Sequence, residues 1–333
     1  MMEWSRQVRP LSLIVLLVVA AVTAHAWASD AEPLALGGKL TPGNPLTDAA
    51  QFVKDTDSRN ADIDNIAADR LSMFLDLQNA TALPVDVKKF FADRAAAFQL
   101  LAPIHLDRRQ LRVDVKPGTG PLVKPVKGAA DLNTAVTSFF KDFDARVAAE
   151  GAEDADYSAI KSSVAKQDAA GVTSNANQYF KDRFARNQAA LNEAADVFTI
   201  KKDVSFKAQK IAFVKPTKGN DLATHTKMFL DDRAKWLTDS DAITASRNNM
   251  RSAVGTSSLE AAVLVWLNAR HQHHHDGVQL GLDRFAMKLD VGLVKQKDPT
   301  IKGLTPQRTP GAEDNSDTPN DNLDQSTEDN GEK

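Results

Sequence analysis

Two short sequence elements occur three times each in this chain, in alternation, and they constrain its fold more than any other feature. The first element is FVKDTDSR at 52–59, FFKDFDAR at 139–146 and MFLDDRAK at 228–235. The second element is FFADRAA at 90–96, YFKDRFA at 179–185 and LDRFA at 282–286. Internal similarity that returns at a fixed period is typical of tandem repeat proteins, so the sequence predicts stacked units.

The intervals between these elements indicate a unit of about 88 residues. Phe52 and Phe139 are 87 residues apart, and Phe90 and Tyr179 are 89 apart. The interval from Phe139 to Met228 is also 89 residues. Asp182 and Asp283 are 101 residues apart, which predicts an insertion in the third unit that includes a histidine-rich segment. The predicted divisions are a signal peptide at 1–28, an extended lead-in at 29–44, repeats at 45–123, 124–214 and 215–304, and a tail at 305–333.

The composition and the spacing of apolar residues favour a mainly α fold, with about three helices in each unit. Towards the end of the first two units the spacing of apolar residues changes from helical to alternating. Val113 and Val115 flank Asp114, and a Pro/Gly-rich turn follows. Alternation also occurs in 200–214, where Val204 and Phe206 are followed by Ile211 and Phe213. Such alternation is typical of half-buried strands, so we expect a short β-hairpin in each of the first two repeats. The third unit lacks this pattern, as expected for a terminal capping repeat.

The N-terminus has the features of a secretory signal peptide. Arg6 and Arg9 precede an apolar run at 11–22, and two Ala-x-Ala sites follow within 24–28. The apolar run is shorter than the ~20 residues that a spanning helix needs, although an uncleaved anchor is the alternative. The sequence predicts no transmembrane helix in the mature chain. There is no cysteine, and a secreted chain without disulfides points to a bacterial periplasm.

The charges are unevenly distributed along the chain. The net charge is −3, and 305–333 contains eight acidic residues against Arg308 and Lys333. This segment has almost no apolar side chain, so we expect a disordered acidic tail. The rest of the chain has no basic stripe of the kind that nucleic-acid binding requires. Nucleic acid is therefore not an expected partner.

A histidine-rich segment, HQHHHD, is the most specific chemical feature. In a helix His271 and His275 fall at i and i+4 and share a face. Two imidazoles and a carboxylate suit zinc, copper or nickel. The alternatives are histidines placed near a helix C-terminus, with Gly277 as its cap, and an exposed polar run. The candidate metal ligands are His271, His273, His274, His275 and Asp276.

The Asp-Arg pairs of the second element, at 93–94, 182–183 and 283–284, resemble acid/base sets. Neighbouring residues on a helix do not face each other, so a pair cannot act as one site. We interpret them as links between helices or repeats.

Three functions follow from these observations. The first is a secreted or periplasmic, non-enzymatic scaffold or binding module, whose partner is another envelope protein or a surface component. The second is a divalent-metal-binding envelope protein that acts through the histidine segment. The third is an enzyme with a cleft between repeats, which predicts a concave pocket with polar groups that break the repeat pattern. The motifs HExxH, GxSxG and GxGxxG are absent, and a thiol nucleophile is excluded.

Overall fold

The computed structural model describes residues 40–125, 131–214 and 221–294. The predicted signal peptide, nearly all of the lead-in and the acidic tail lie outside the described residues. The described residues form seven α-helices: α1 Pro45–Leu75, α2 Leu83–Gln99, α3 Leu101–Val115, α4 Leu132–Ala165, α5 Ala169–Asp203, α6 Leu222–Ala253 and α7 Leu259–Asp290. The prediction of a mainly α protein is confirmed. None of these helices is long and apolar enough to span a membrane.

Helices α1, α4 and α6 begin at side-chain caps. The side chains of Asn44, Asp131 and Asp221 each accept a hydrogen bond from a backbone N–H of the first turn, which would otherwise lack a partner. Two of these bonds are equivalent, since both run from the N–H of the third residue after the cap. The starts of these three helices are therefore determined locally by the sequence.

The helices pack as three antiparallel pairs: α1 with α2 and α3, α4 with α5, and α6 with α7. The first pair has a broken second helix, because α2 and α3 are separated at Leu100. Pro103 lies in the first turn of α3 and lacks the N–H that would continue the hydrogen-bond ladder. The sequence-based expectation of about three helices per unit is thus wrong for the second and third pairs, which have two long helices each.

The predicted β-hairpins are also wrong, since no strand occurs among the described residues. Helix α3 continues to Val115, and α5 continues to Asp203. After each helix the chain is extended but irregular, in residues 116–125 and 206–214. These two segments do not pair with a returning strand. Glutamine side chains of the following helix pair bind their backbone groups instead, at Val123 and Val214.

Three buried clusters hold the helix pairs together. We call the end at which the chain enters and leaves a pair its base, and the end with the connecting loop its tip. One cluster joins the base of the first pair to the tip of the second pair. Another joins the base of the second pair to the tip of the third. The remaining cluster joins the base of the third pair back to the tip of the first, so the three pairs close a ring.

An aromatic contact lies at the centre of each cluster. The ring of Phe52 is 6.0 Å from that of Tyr179, and the ring of Phe139 is 5.0 Å from that of Trp266. The third contact is between Phe229 and Phe90, at 5.5 Å. In each case the first residue comes from a base and the second from the pair whose tip packs on it. Burial of such side chains supplies about 1.5–3 kcal/mol each, so these contacts are a main source of stability.

Candidate functional site

Two extended segments cross from one helix pair to the next. We call residues 116–125 the first strap and residues 206–214 the second strap. The first strap begins where Lys116, with φ 49°, ends α3 in the left-handed conformation, and Gly118 follows with φ 71°. A residue with a side chain would be strained at Gly118, so this turn depends on glycine. Pro117 and Pro121 lack N–H groups and disfavour a regular ladder.

A single side-chain amide fixes the first strap to α5. The N–H of Val123 donates to Oε1 of Gln188 at 2.7 Å, and Nε2 of Gln188 donates to the carbonyl of Val123 at 2.7 Å. Nearer its start, Nη2 of Arg112 donates to Oγ1 of Thr119 at 3.0 Å. The strap is thus bound to α3 on one side and to α5 on the other.

A cavity of about 320 Å³ lies beneath this strap, between α3 and α5. One wall combines basic side chains of α3, and the opposite wall is a face of α5. The strap itself contributes apolar atoms. The lining residues are His105, Arg108, Arg109, Arg112, Gly120, Pro121, Leu122, Phe180, Arg183, Phe184 and Asn187.

Every residue with a permanent charge in this lining is an arginine. Arg108, Arg109 and Arg112 come from α3, and Arg183 comes from α5. None of the lining residues is a carboxylate. The Nε atom of Arg108 is buried and has no hydrogen-bond partner among the described residues. The pocket therefore presents donors and positive charge to whatever occupies it.

A buried ion cluster lies next to the pocket and does not neutralise it. Nη1 of Arg183 binds Oε1 of Glu153 at 3.0 Å, and Nη1 of Arg186 binds Oε2 of the same carboxylate at 2.9 Å. All three side chains are more than nine-tenths buried. Two guanidinium groups share one carboxylate, so this cluster itself keeps a net positive charge.

The pKa values reflect this excess of positive charge. Burial, followed by repulsion from Arg183, lowers the pKa of Arg108 to about 10. Burial also lowers the pKa of Arg186, although Glu153 acts in the opposite direction. Both groups remain protonated at neutral pH.

The predicted metal ligands lie in the middle of α7, where Nδ1 of His275 is 3.1 Å from Oδ1 of Asp276 and the other contacts of the histidines are to different partners. Nε2 of His271 is 2.7 Å from the carbonyl oxygen of Gln209 in the second strap. The ring of His275 stacks on Phe213 of the same strap at 4.5 Å. The ring of His273 stacks instead on Trp236 of α6, at 4.6 Å.

Asp276 is also engaged outside a metal site. Its carboxylate accepts from Nζ of Lys235 at 2.8 Å and from Nε2 of Gln272 at 3.0 Å. Within the described part of the chain, no three His, Asp or Glu side chains are grouped so that they could hold a metal ion. His271 and His275 do lie on one helix face, but that face supports the second strap. Metal binding by this segment stays a prediction.

The Asp-Arg pairs have structural contacts. Arg183 connects α5 to Glu153 of α4, whereas Asp283 accepts from Nε2 of Gln279 at 3.0 Å. Burial, with a contribution from Asp232 of α6, raises the pKa of Asp283 to about 7. Within one pair the two members also serve different contacts, since Asp182 accepts from Nε2 of Gln178 at 2.9 Å while Arg183 binds Glu153.

Sequence reasoning missed the basic pocket. The sequence HLDRRQLR contains its basic wall, but the alternation in 113–115 favoured a strand there. Read as a helix, His105, Arg108, Arg109 and Arg112 have the spacing i, i+3, i+4 and i+7 and lie on one face. That spacing was the signal that could have identified the pocket.

Neither a protein-family model, nor a curated protein, nor a solved structure matches this chain significantly. The function must therefore be argued from the geometry of the molecule itself.

Proposed function

We propose that this protein is a non-enzymatic binding module, secreted or periplasmic, made of three tandem helical hairpins. Its ligand binds in the pocket beneath the first strap. The observation that carries the proposal is the cavity beneath this strap, where α3 has three basic side chains at positions that hold one basic side chain in the second unit and two in the third.

Equivalent buried positions support the assignment of three tandem units. The helix caps Asn44, Asp131 and Asp221 are 87 and 90 residues apart. In the first helix of each unit (α1, α4 and α6) equivalent core residues are separated by the same intervals. In the last helix of each unit (α3, α5 and α7) the intervals are 89 and 87 residues. Fully buried sets with this spacing are Met73, Ile160 and Met250 in the first helices, and Leu111, Ile200 and Met287 in the second helices.

When the units are aligned by these buried positions, a different segment becomes the third copy of the second sequence element. Trp266 takes the position of Phe90 and Tyr179, and its contact with Phe139 is equivalent to theirs with Phe229 and Phe52. The matching segment is WLNAR at 266–270 rather than LDRFA. With this alignment the third unit needs no insertion around the histidines. Helix α7, with 32 residues, is close in length to α5, with 35.

Arg109 breaks this pattern, whereas Arg108 has a basic equivalent in the third unit and Arg112 has one in both other units. The positions of Arg108, Arg109 and Arg112 are taken in the second unit by Val197, Phe198 and Lys201. In the third unit they are taken by Arg284, Phe285 and Lys288. Packing between units imposes similar residues at matching positions. Arg109, which phenylalanine replaces in both other units, therefore indicates a requirement other than packing, and α3 alone has a basic side chain at all three positions.

The chemistry of the lining favours binding over catalysis. A polar pocket that breaks the repeat pattern is also what an enzyme would have. However, arginine stays protonated and cannot exchange a proton near neutral pH. Histidine is the residue type that most commonly exchanges protons near neutral pH, and the lining has one, His105.

The test is a thermal-shift screen of the full mature chain against small metabolites of different charge. A variant that fills the pocket, Leu122→Trp, is compared with Phe213→Trp, a substitution at the matching place in the second strap. We expect ligands to raise Tm in the natural protein and in Phe213→Trp, and to have no effect in Leu122→Trp. The proposal fails if no compound of any class raises Tm, or if the shifts persist in Leu122→Trp.

A further inference from the structure

We infer that the ligand beneath the first strap is a small organic oxyanion with at least two negative charges, carried by phosphate or carboxylate groups next to an apolar body. This inference rests on the proposed function and specifies the ligand of that site.

The charge of the pocket sets the sign of the ligand. Four arginines line the cavity without a carboxylate, and the nearest buried one, Glu153, is held by Arg183 and Arg186. Arg108 and Arg112 are half-buried and Arg109 is exposed, so a bound counter-charge would relieve positive charge that is partly removed from water. A monoanion would offset one of these guanidinium groups, so two or more negative charges fit better.

The donors of the pocket set the chemical group. Guanidinium presents its N–H groups in a planar fork that matches the two oxygens of a carboxylate or phosphate. The Nε of Arg108 is buried without a hydrogen-bond partner among the described residues, although its guanidinium lies over the Phe52 ring, 5.7 Å from the ring centroid. Asn187 adds a side-chain amide at the same wall.

The size and the apolar part of the lining set the rest of the ligand. A cavity of about 320 Å³ is at the lower end of the range for ligand pockets, roughly 300–1,000 Å³, and exceeds what one inorganic ion fills. Phe180 and Phe184 contribute aromatic rings, and Pro121 and Leu122 cover the cavity from the strap. Such surfaces favour an apolar or aromatic group over a second layer of water.

The third hairpin offers a matched control. Arg284 occupies the position of Arg108, and its guanidinium lies 5.9 Å from the ring of Phe229, as that of Arg108 lies 5.7 Å from Phe52. The two arginines thus have the same helix position and the same aromatic neighbour. A substitution at Arg284 reproduces the loss of charge without touching the pocket.

The experiment is calorimetric titration of the full mature chain with phenyl phosphate, citrate, inorganic phosphate and benzyl alcohol. We expect phenyl phosphate or citrate to bind one per chain, more tightly than inorganic phosphate, with no binding of benzyl alcohol. The first two probes distinguish a phosphate from a polycarboxylate ligand. Affinity should fall on the order of 10- to 100-fold in Arg108→Gln and in Arg109→Gln, and stay unchanged in Arg284→Gln. Arg109 is exposed, so its variant reports on binding even if Arg108→Gln fails to fold.

Three results would overturn the inference. They are the absence of binding by every anionic probe at low salt, equal affinity in Arg109→Gln and the natural protein, and binding of benzyl alcohol as tight as that of phenyl phosphate. If the metabolite screen has yielded a neutral ligand that Leu122→Trp abolishes, the binding module stands and the anionic ligand alone is rejected.

Discussion

The two straps are attached in the same way, but the first covers a cavity and the second covers packed side chains. Gln188 binds Val123 through both of its amide atoms, and Gln279 binds Val214 in the same manner, with 65 residues between the partners in each case. Beneath the first strap lies an open cavity with arginines. The second strap rests on ring stacking and on a histidine bond to the carbonyl of Gln209. One framework thus carries a junction with space for a ligand and a junction in which side chains make the contacts themselves.

This difference reverses the roles that the sequence favoured. The histidines, the most specific chemical signal, hold the second strap and stack on aromatic neighbours. The arginines of α3, which no sequence motif singled out, line the cavity. A reactive residue type indicates a binding site only when its side chain is not already engaged in contacts within the protein.

The largest expected effect comes from removing a core side chain where the second helix pair packs on the third. Trp266 is fully buried and packs on Phe139, so we expect Trp266→Ala to lower the free energy of unfolding by about 3–5 kcal/mol. Leu122→Ala at the first strap borders a cavity and should cost less than about 1 kcal/mol. Urea unfolding followed by circular dichroism measures both. Equal losses in the two variants would contradict the contrast between the junctions.

A pH-dependent effect is expected at the second strap and not at the first. Nε2 of Gln279 donates to Asp283, whereas Nε2 of Gln188 donates to the neutral Asn192. The pKa of Asp283 is raised to about 7 in the folded protein, mainly by burial. A raised pKa means that the folded state binds the proton more tightly. The associated stability is present below about pH 4 and is lost as the pH rises through 7.

Asp283→Asn should therefore raise the free energy of unfolding at pH 8 by about 1–2 kcal/mol, because it removes a buried charge and retains an acceptor for Gln279. At pH 4 the variant and the natural protein should be nearly equal. Urea titrations at the two pH values test this, with Asn192→Asp as the converse substitution beneath the first strap. A gain that is the same at pH 4 and pH 8 would show that ionisation of Asp283 is not its cause.

Removal of the strap amides should have smaller and unequal effects. Gln279 is buried, whereas Gln188 is only partly so. We expect Gln279→Ala to lower the free energy of unfolding by about 1–2 kcal/mol and Gln188→Ala by about 0.5–1 kcal/mol. The second loss is smaller because a backbone group near solvent can form a hydrogen bond with water instead. Hydrogen exchange at the amides of Val214 and Val123 reports the local opening. The interpretation fails if Gln279→Ala leaves the exchange of Val214 unchanged.

The sequence predicted the helical class, because caps and buried apolar positions act locally. It failed in 105–115, where Val113-Asp114-Val115 alternates as a strand would. Leu111 and Val115, however, are both buried at i and i+4, which is helical spacing. Once that segment was read as a strand, its arginines could not be placed on one face. The pocket also needs α5 and the strap, which are far away in sequence and which no local pattern connects.

The smallest effect is expected from metal ions. His271 and His275 already contact the second strap, and His273 stacks on Trp236, so a metal would have to displace these contacts. We expect zinc to bind more weakly than micromolar and to leave Tm unchanged. A variant with His271, His273, His274 and His275 replaced by Ala should lose stability even without metal, because the strap loses its support. Titration of untagged protein with zinc and copper measures this. One metal per chain at sub-micromolar affinity, lost in the variant, would restore the metal-binding function and make the second junction, rather than the first, the place where a ligand binds.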